Sequence, residues 1–375
     1  MMRDFVEFTT VILGFGHCGK TLHLSCLRKL LSGHFKGRVS HQIDVVDPFI
    51  PRQNLGDTVN FHKNLPPLSY FNSSIPILHI CTPPSSHLND VREAIATGYQ
   101  HIVVEKPLAP SVEEARAIEQ MAAQCKVNIL VVAVWTNSSL TEAITEFIGH
   151  NDGEQISSIE VVHNKARFTR TFSRQNEHVF DIEMPHQMSV VLPFMGPDVE
   201  FVSAQTSDLM INGSCRATMG RGEIIIKSNR GAQARLVSSL SHPVRERSIA
   251  IQFRNGHRLV GNFPVSGDDS YSQLSIYSHL NQLITHEIYD DDPLTNCLKN
   301  YYEFFFKCVS DQDIPMPNGA GLCFNVKVVS LLDEAKRKQA NYPIHMRQRD
   351  MPLPNSGKRP KRSDDPQSMI LTRQY

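Results

Sequence analysis

The sequence lacks an excess of either charge, with 38 Lys plus Arg against 38 Asp plus Glu. That balance leaves no electrostatic footprint for nucleic acid or an anionic membrane as the main partner. No apolar run approaches the roughly 20 residues that a membrane-spanning helix needs. None of the eight cysteines forms a CxxC pair, and the 17 histidines include no His-Glu-x-x-His. A disulfide framework, a zinc ribbon and a metalloprotease centre are excluded as expectations, and no metal is expected. The opening stretch is broken by Asp4 and Glu7 and lacks a small-residue cleavage site. It therefore does not read as a signal peptide, and a cytoplasmic protein with reduced thiols is expected.

The composition is that of an ordinary globular protein, 41% hydrophobic and 20% charged, and 375 residues suffice for two domains. The first half alternates short apolar runs with helical patterns, as βαβ units on a parallel sheet do. Strands are expected at Phe8–Leu13, Ile43–Asp47, Ile77–Cys81, His101–Val104 and Lys126–Val134. Between them, Leu22, Cys26, Leu27, Leu30 and Leu31 recur at helical spacing before Gly33. Leu88, Val91 and Ile95 do the same after a Ser85 or Ser86 cap, and Ser111 with Glu114 forms a capping box ahead of Ala115, Ile118 and Ala122. Beyond about residue 150 extended segments follow one another without helices between them, which implies an antiparallel sheet. Helices are expected at His186–Met195, Ser272–Ile288, Asn300–Val309 and Ala320–Lys338. The fold class is α/β, a doubly wound N-terminal domain followed by an α+β domain with a large open, mainly antiparallel sheet. The expected divisions are 1–133, 134–340 and a proline-rich, basic tail at 341–375 containing Lys358 to Arg362.

Chemistry first shows at the end of the first strand. The turn Gly14-Phe15-Gly16-His17-Cys18-Gly19 ends a strand and opens a helix, as a dinucleotide pyrophosphate requires. Asp47 closes the second strand, where a carboxylate accepts hydrogen bonds from the adenosine ribose and repels a 2′-phosphate. NAD is thus expected over NADP. Asp47 follows Gly19 by 28 positions, a longer interval than usual, which a loop around Gly33–His41 would absorb; Asp44 points to the other strand face.

Glu105-Lys106-Pro107 follows Cys81-Thr82-Pro83-Pro84 and His87, and the glycine turn precedes both. Together these motifs resemble the glucose–fructose oxidoreductase/inositol dehydrogenase/rhizopine-catabolism (Gfo/Idh/MocA) family over about residues 8–125. The resemblance implies a Rossmann domain followed by an open sheet used for substrate binding and oligomer contact. It also implies that Lys106 lies beside the nicotinamide and the substrate hydroxyl, with Glu105 and Pro107 fixing its loop and a cis proline bond there. Cys81, Thr82 and Pro83 would line the nicotinamide pocket, and His87 the helix start. The family's second motif, Asp-x-Gly-x-His with a later acid, maps to Phe180–Leu192. His186 fits as acid/base, an imidazole titrating near neutrality. Ile182 stands where the Asp should be and Ser189 where the later acid should be. Asp181 and Glu183 flank the place, and either can take the carboxylate role.

Trp135 and Asn137 follow the last parallel strand, where family members place substrate-facing residues. His163, Lys165 and Arg167 alternate onto one strand face, and Lys165 and Arg167 are candidates to grip a carboxylate or phosphate. The expected activity is hydride transfer between nicotinamide and a secondary alcohol or ketone carbon of a sugar, cyclitol or similar polar small molecule. The alternatives are an imine or carbonyl reductase of a non-sugar metabolite, and a non-catalytic dinucleotide-binding sensor or scaffold. An antiparallel sheet open on one face is expected to be covered by a second subunit, giving a homodimer or homotetramer.

Overall fold

The computed structural model describes residues 7–341, apart from 51–54, 151–154, 175–176, 267–268, 311 and 313–314. The expected basic tail lies outside the described residues. The first sheet is built from β1 (Phe8–Leu13), β2 (Val39–Val46), β3 (Val59–His62), β4 (Ile75–Ile80), β5 (His101–Val104) and β6 (Asn128–Val131). All its pairings are parallel, in the order β3-β2-β1-β4-β5-β6. Central strands are covered on both faces and so read as unbroken apolar runs; all four residues of β5 are buried. In this order the chain reverses direction across the sheet between β1 and β4, leaving a crevice outside their carboxyl ends. The glycine turn, Cys81–Pro83 and Lys106 all leave from that end.

Residues 18–23 wind as a π-turn that runs into α1 (Leu24–Ser32). The helices α2 (His87–Thr97) and α3 (Val112–Cys125) follow β4 and β5. The Ser111 hydroxyl accepts the Glu114 N–H at 3.3 Å, as the capping box predicts. Ser86 precedes α2 without such a bond; instead Gly98 ends that helix in the left-handed region, with φ of 101°.

After α4 (Ser139–His150) and β7 (Ile156–Ala166) come α5 (Phe168–Ser173), α6 (Val179–Ile182) and α7 (Met184–Met195). The remaining strands are β8 (Val199–Thr206), β9 (Leu209–Ile211), β10 (Ser214–Arg216), β11 (Arg221–Ser228), β12 (Gln233–Ser239), β13 (Ser241–Phe253), β14 (Arg258–Asn262), β15 (Tyr271–Tyr277) and β16 (Leu283–Asp290). Then α8 (Pro293–Val309), α9 (Leu322–Lys338) and β17 (Ala340–Asn341) complete the described chain. The second sheet has nine strands in the order β16-β15-β14-β13-β7-β12-β11-β8-β17. It is mainly antiparallel, but β7 runs parallel to β12, and β17 to β8.

The helix expected over Ser272–Ile288 is instead the hairpin of β15 and β16. Ser272, Leu274 and Ile276 are buried at every second position, a strand period. Asn281 takes the left-handed φ of 58° that the connecting turn requires. Sequence periodicity misread the segment because β16 is an edge strand whose apolar residues stay exposed, Leu283, Ile284 and Ile288 among them.

The last two helices return to the first sheet. Tyr301 and Tyr302 of α8 are buried with Phe8, Phe15 and Leu27, and Val329 of α9 packs with Val11, Leu78 and Ile118. One face of the second sheet is sealed by α7 and α4, with Leu140, Met188, Leu236 and Ile249 in a common core. Among the described residues no helix is long and apolar enough to cross a membrane.

Candidate active site

The three glycines of the turn do three different things. Gly14 has φ of +88°, and a Cβ there would sit 2.8 Å from the Thr82 nitrogen; a Cβ on Gly19 would lie 2.2 Å from the Gly14 oxygen. These two permit the turn and its close packing on β4. A Cβ on Gly16 would meet no atom within 4 Å, so the space beside it is free for a ligand. That is the division of labour a pyrophosphate turn requires. Phe15 donates its N–H to Asp47 Oδ2 at 2.8 Å, while Asp47 Oδ1 accepts from Phe49 and Ile50 at 2.9 and 3.2 Å. Asp47 therefore ties the glycine turn to the end of β2. A carboxylate has about four lone-pair sites, so capacity remains for a ribose hydroxyl. Asp44 is buried and bonded to His62 and Tyr70 at 2.7 and 3.1 Å, a structural role. His17 is exposed on the turn; burial lowers its basicity, and the charges of Arg170 and Arg174 lower it further.

Beneath the turn runs a chain of buried polar groups. Glu105 Oε1 bonds His23 Nε2 at 2.8 Å, His23 Nδ1 meets His79 Nδ1 at 3.0 Å, and His79 Nε2 meets the Tyr302 hydroxyl at 2.9 Å. Tyr302 in turn contacts the Thr10 hydroxyl at 2.8 Å. Burial opposes charge on His23, but Cys18 and Glu105 outweigh it and raise the imidazole to about 10. Burial likewise opposes charge on Glu105, yet His23 holds the carboxyl down at about 2. With His23 protonated, each donor finds an acceptor: His23 to Glu105 and to His79, then His79 to Tyr302. Cys18, His23 and Cys81 also bring ligand-type atoms within 4.8 Å of one another. Both ring nitrogens of His23 are already bonded, so a metal there would have to displace one of those bonds.

The purpose of this buried chain is to fix Glu105, which also accepts the Lys106 N–H through Oε2 at 3.1 Å. The Lys106–Pro107 peptide bond is cis. From that corner Lys106 Nζ reaches across to the Ile182 carbonyl oxygen at 2.9 Å. Ile182 ends α6, and the next residues are Glu183 and the start of α7, so Lys106 is brought to the segment that carries His186. Glu183 is buried and paired with Lys165 of β7, and its Oε2 lies 3.5 Å from His163 Nδ1. Burial alone would raise the Glu183 carboxyl, but the His163 contact and the Lys165 ammonium hold it well below the usual range. His186 is half-buried, and burial with the Lys106 ammonium pushes its imidazole well below the ordinary value. It is therefore a neutral ring at pH 7 and a weaker base than a free imidazole.

Residues 8–133 match the GFO_IDH_MocA family model, described as an oxidoreductase family with an NAD-binding Rossmann fold. Over those residues the chain is similar to the Rossmann domain of Gfo/Idh/MocA oxidoreductases. Solved structures share the fold over nearly the whole described chain. One is KijD10, a 3-ketoreductase from Actinomadura kijaniata solved with NADP and TDP-benzene: TM-score 0.68, 13% identity, covering 90% of this chain and 100% of that one. Another is the UDP-N-acetylglucosamine 3-dehydrogenase GnnA from Acidithiobacillus ferrooxidans, at 0.64 and 15%, covering 89% and 98%. A third is the putative oxidoreductase yvaA from Bacillus subtilis, at 0.70 and 15%, covering 90% and 97%. No curated protein matches the sequence.

Several candidate residues are engaged by partners of their own. Asp181 pairs with Lys336 of α9 at 3.0 Å, whereas Glu183 is buried with Lys165 and His163. Arg167, just beyond β7, is clamped by Glu177 at 2.6 and 3.1 Å, whereas Lys165 of β7 is paired with Glu183. Asn137 spends its amide on the Ala133 carbonyl and its oxygen on Asn300, at 2.8 and 2.9 Å. It braces the turn that presents Trp135. His87 is buried, contacting the carbonyl oxygens of Thr82 and Leu108 at 3.0 and 3.1 Å; it joins the two loops of the crevice from below. Pro83 stays in its predicted place on the Thr82 loop, and Thr82 is held by Asp90. Trp135 is buried, 6.3 Å from the His186 ring and 6.0 Å from His163. Arg247 covers it at 4.9 Å. Sequence reading passed over Arg247 because its partners lie on other elements. The only local signal was its phase on β13, where it shares a face with Ile249 and Ile251.

The two kinds of glycine make a test. Gly16→Ala should fold with nearly unchanged stability and lose at least about tenfold in nicotinamide dinucleotide affinity. Gly19→Ala should cost about 1–3 kcal/mol of stability in denaturant titration, through overpacking. Wild-type affinity in Gly16→Ala would show that no pyrophosphate lies against that turn.

Proposed function

We propose that the protein transfers hydride between a nicotinamide dinucleotide and a secondary alcohol or ketone carbon of a sugar, cyclitol or similar polar molecule. The observation that carries this reading is the convergence of Lys106 on the Ile182–His186 segment at the carboxyl ends of the parallel strands. The bound dinucleotide supplies the hydride acceptor or donor. In the oxidative direction the neutral His186 ring accepts the hydroxyl proton as hydride departs, and the Lys106 ammonium holds the substrate oxygen. Glu183 stays ionised and stabilises the imidazolium that proton uptake creates. In reduction the same proton returns from His186 to the carbonyl oxygen. A sugar-type substrate is supported by the 3-ketoreductase and sugar-nucleotide dehydrogenase of the same fold.

The Asp47 carboxylate at the end of β2 supports NAD over NADP, although the Actinomadura ketoreductase was solved with NADP. An oligomer is supported by the outer side of the second sheet and its edge. Val202, Tyr271, Leu283, Ile284 and Ile288 are all more than half exposed there. Uncovered apolar strands of this kind are closed by a second copy in stable proteins.

Lys106→Met should reduce kcat by about a hundredfold to ten-thousandfold, with calorimetric NAD affinity kept. Normal turnover would remove Lys106 from the chemistry. In the same calorimeter NAD should bind the wild type more tightly than NADP and Asp47→Ala should close the gap; tighter NADP binding would reverse the assignment. Light scattering at micromolar concentration should report a dimer or tetramer, and a monomer alone would contradict the covered-sheet reading.

A further inference from the structure

We propose that the substrate carries an anionic group, a carboxylate or a phosphate ester, received by Lys165 and Arg247 beside Trp135. The inference rests on the oxidoreductase reading above and adds the substrate's charge to it. His163 and Lys165 stand two apart on β7 and so face the same way. Arg247 on β13 is the direct cross-strand partner of His163. On an antiparallel pair, side chains opposite one another share a face, and a diagonal neighbour is within reach of long side chains. Lys165 and Arg247 therefore project together toward Trp135 and the start of α7.

The charges in this corner do not cancel. Lys106, Lys165 and Arg247 bring three cations. Glu183 brings one carboxylate, and Glu105 another that is already engaged by protonated His23. Lys165 is only 19% exposed, and Arg247 is half-buried. Lys165 is paired with Glu183 and Lys106 with the Ile182 carbonyl, so Arg247 is the cation of this corner without a carboxylate among the described residues, and a half-buried cation in that state is relieved when an anion arrives. The placement of Arg247 favours such an arrival. One face of its guanidinium lies over the indole, and Nη1 donates to the Pro264 carbonyl at 2.8 Å. Its other N–H groups have no hydrogen bond among the described residues, and a guanidinium fork matches carboxylate and phosphate oxygens. A cation–π contact with Trp135 uses the flat face of the guanidinium and leaves that edge free. Arg167, by contrast, has both terminal nitrogens on Glu177 and offers nothing to a ligand.

Trp135 is the only tryptophan of the chain and makes the site report on itself. Its fluorescence is followed in the NAD-loaded protein as glucuronate, glucose 6-phosphate or glucose is added, with NAD binding verified first by calorimetry. One or both anionic sugars should shift the emission and half-saturate at least about tenfold below glucose; which of the two does so identifies the anion. Arg247→Met should erase that preference, Arg247→Lys should keep part of it, and Lys165→Met serves if the first variant does not fold. Equal or tighter binding of glucose overturns the proposal. So does a preference that persists in both methionine variants, or the absence of any response to either anion in a chain that binds NAD. A chain that binds no NAD defeats the oxidoreductase reading itself, and this inference falls with it.

Discussion

The bond from the Lys106 ammonium to the Ile182 carbonyl crosses from the first sheet to the second half of the chain and brings Lys106 to the segment that carries His186. On one side it needs β5 to deliver Lys106 at a fixed corner. On the other it needs α6 to stop at Ile182 so that Glu183 and His186 follow within one turn. The corner is fixed from beneath: Glu105 is locked by His23, and His23 by His79 and Tyr302. Because Tyr302 belongs to α8, a helix formed late in the chain determines where a lysine near residue 100 can point. The two sheets are thus two halves of one site.

Electrostatics in the site follow from the same packing. Burial would raise the Glu183 carboxyl, but His163 and the Lys165 ammonium hold it well below the usual range. His186 would titrate near neutrality in water, but burial and Lys106 keep it neutral. An ionised carboxylate beside a neutral imidazole is the arrangement in which a proton can be accepted without first being lost from elsewhere. Glu183 caps α7, buried between Lys165 and His163.

What could be read in the sequence was whatever is local. The glycine turn, the capping box at Ser111 and the Glu-Lys-Pro corner are defined by neighbours within a few residues, and each stands where its spacing put it. The hairpin at 271–290 was misread because an exposed edge strand carries no burial pattern to betray its period. Asp181, Arg167 and Asn137 have the right chemistry for a site, but their partners Lys336, Glu177 and Asn300 satisfy them elsewhere. Two of those partners come from distant helices, and no motif near Asp181 or Asn137 announces them. Arg247 is the converse case: it becomes a site residue only through its register opposite His163. The buried chain from Glu105 to Thr10 joins five elements and has no sequence signature.

In the proposed reaction the nicotinamide ring lies beside Lys106, at the carboxyl ends of the parallel strands. Titration of the protein with NADH and NADPH, exciting the single indole and watching both emissions, tests it most directly. Saturable quenching of Trp135 together with sensitised emission from the reduced nicotinamide is expected. Neither change with either nucleotide, in a protein shown to be folded, would contradict it.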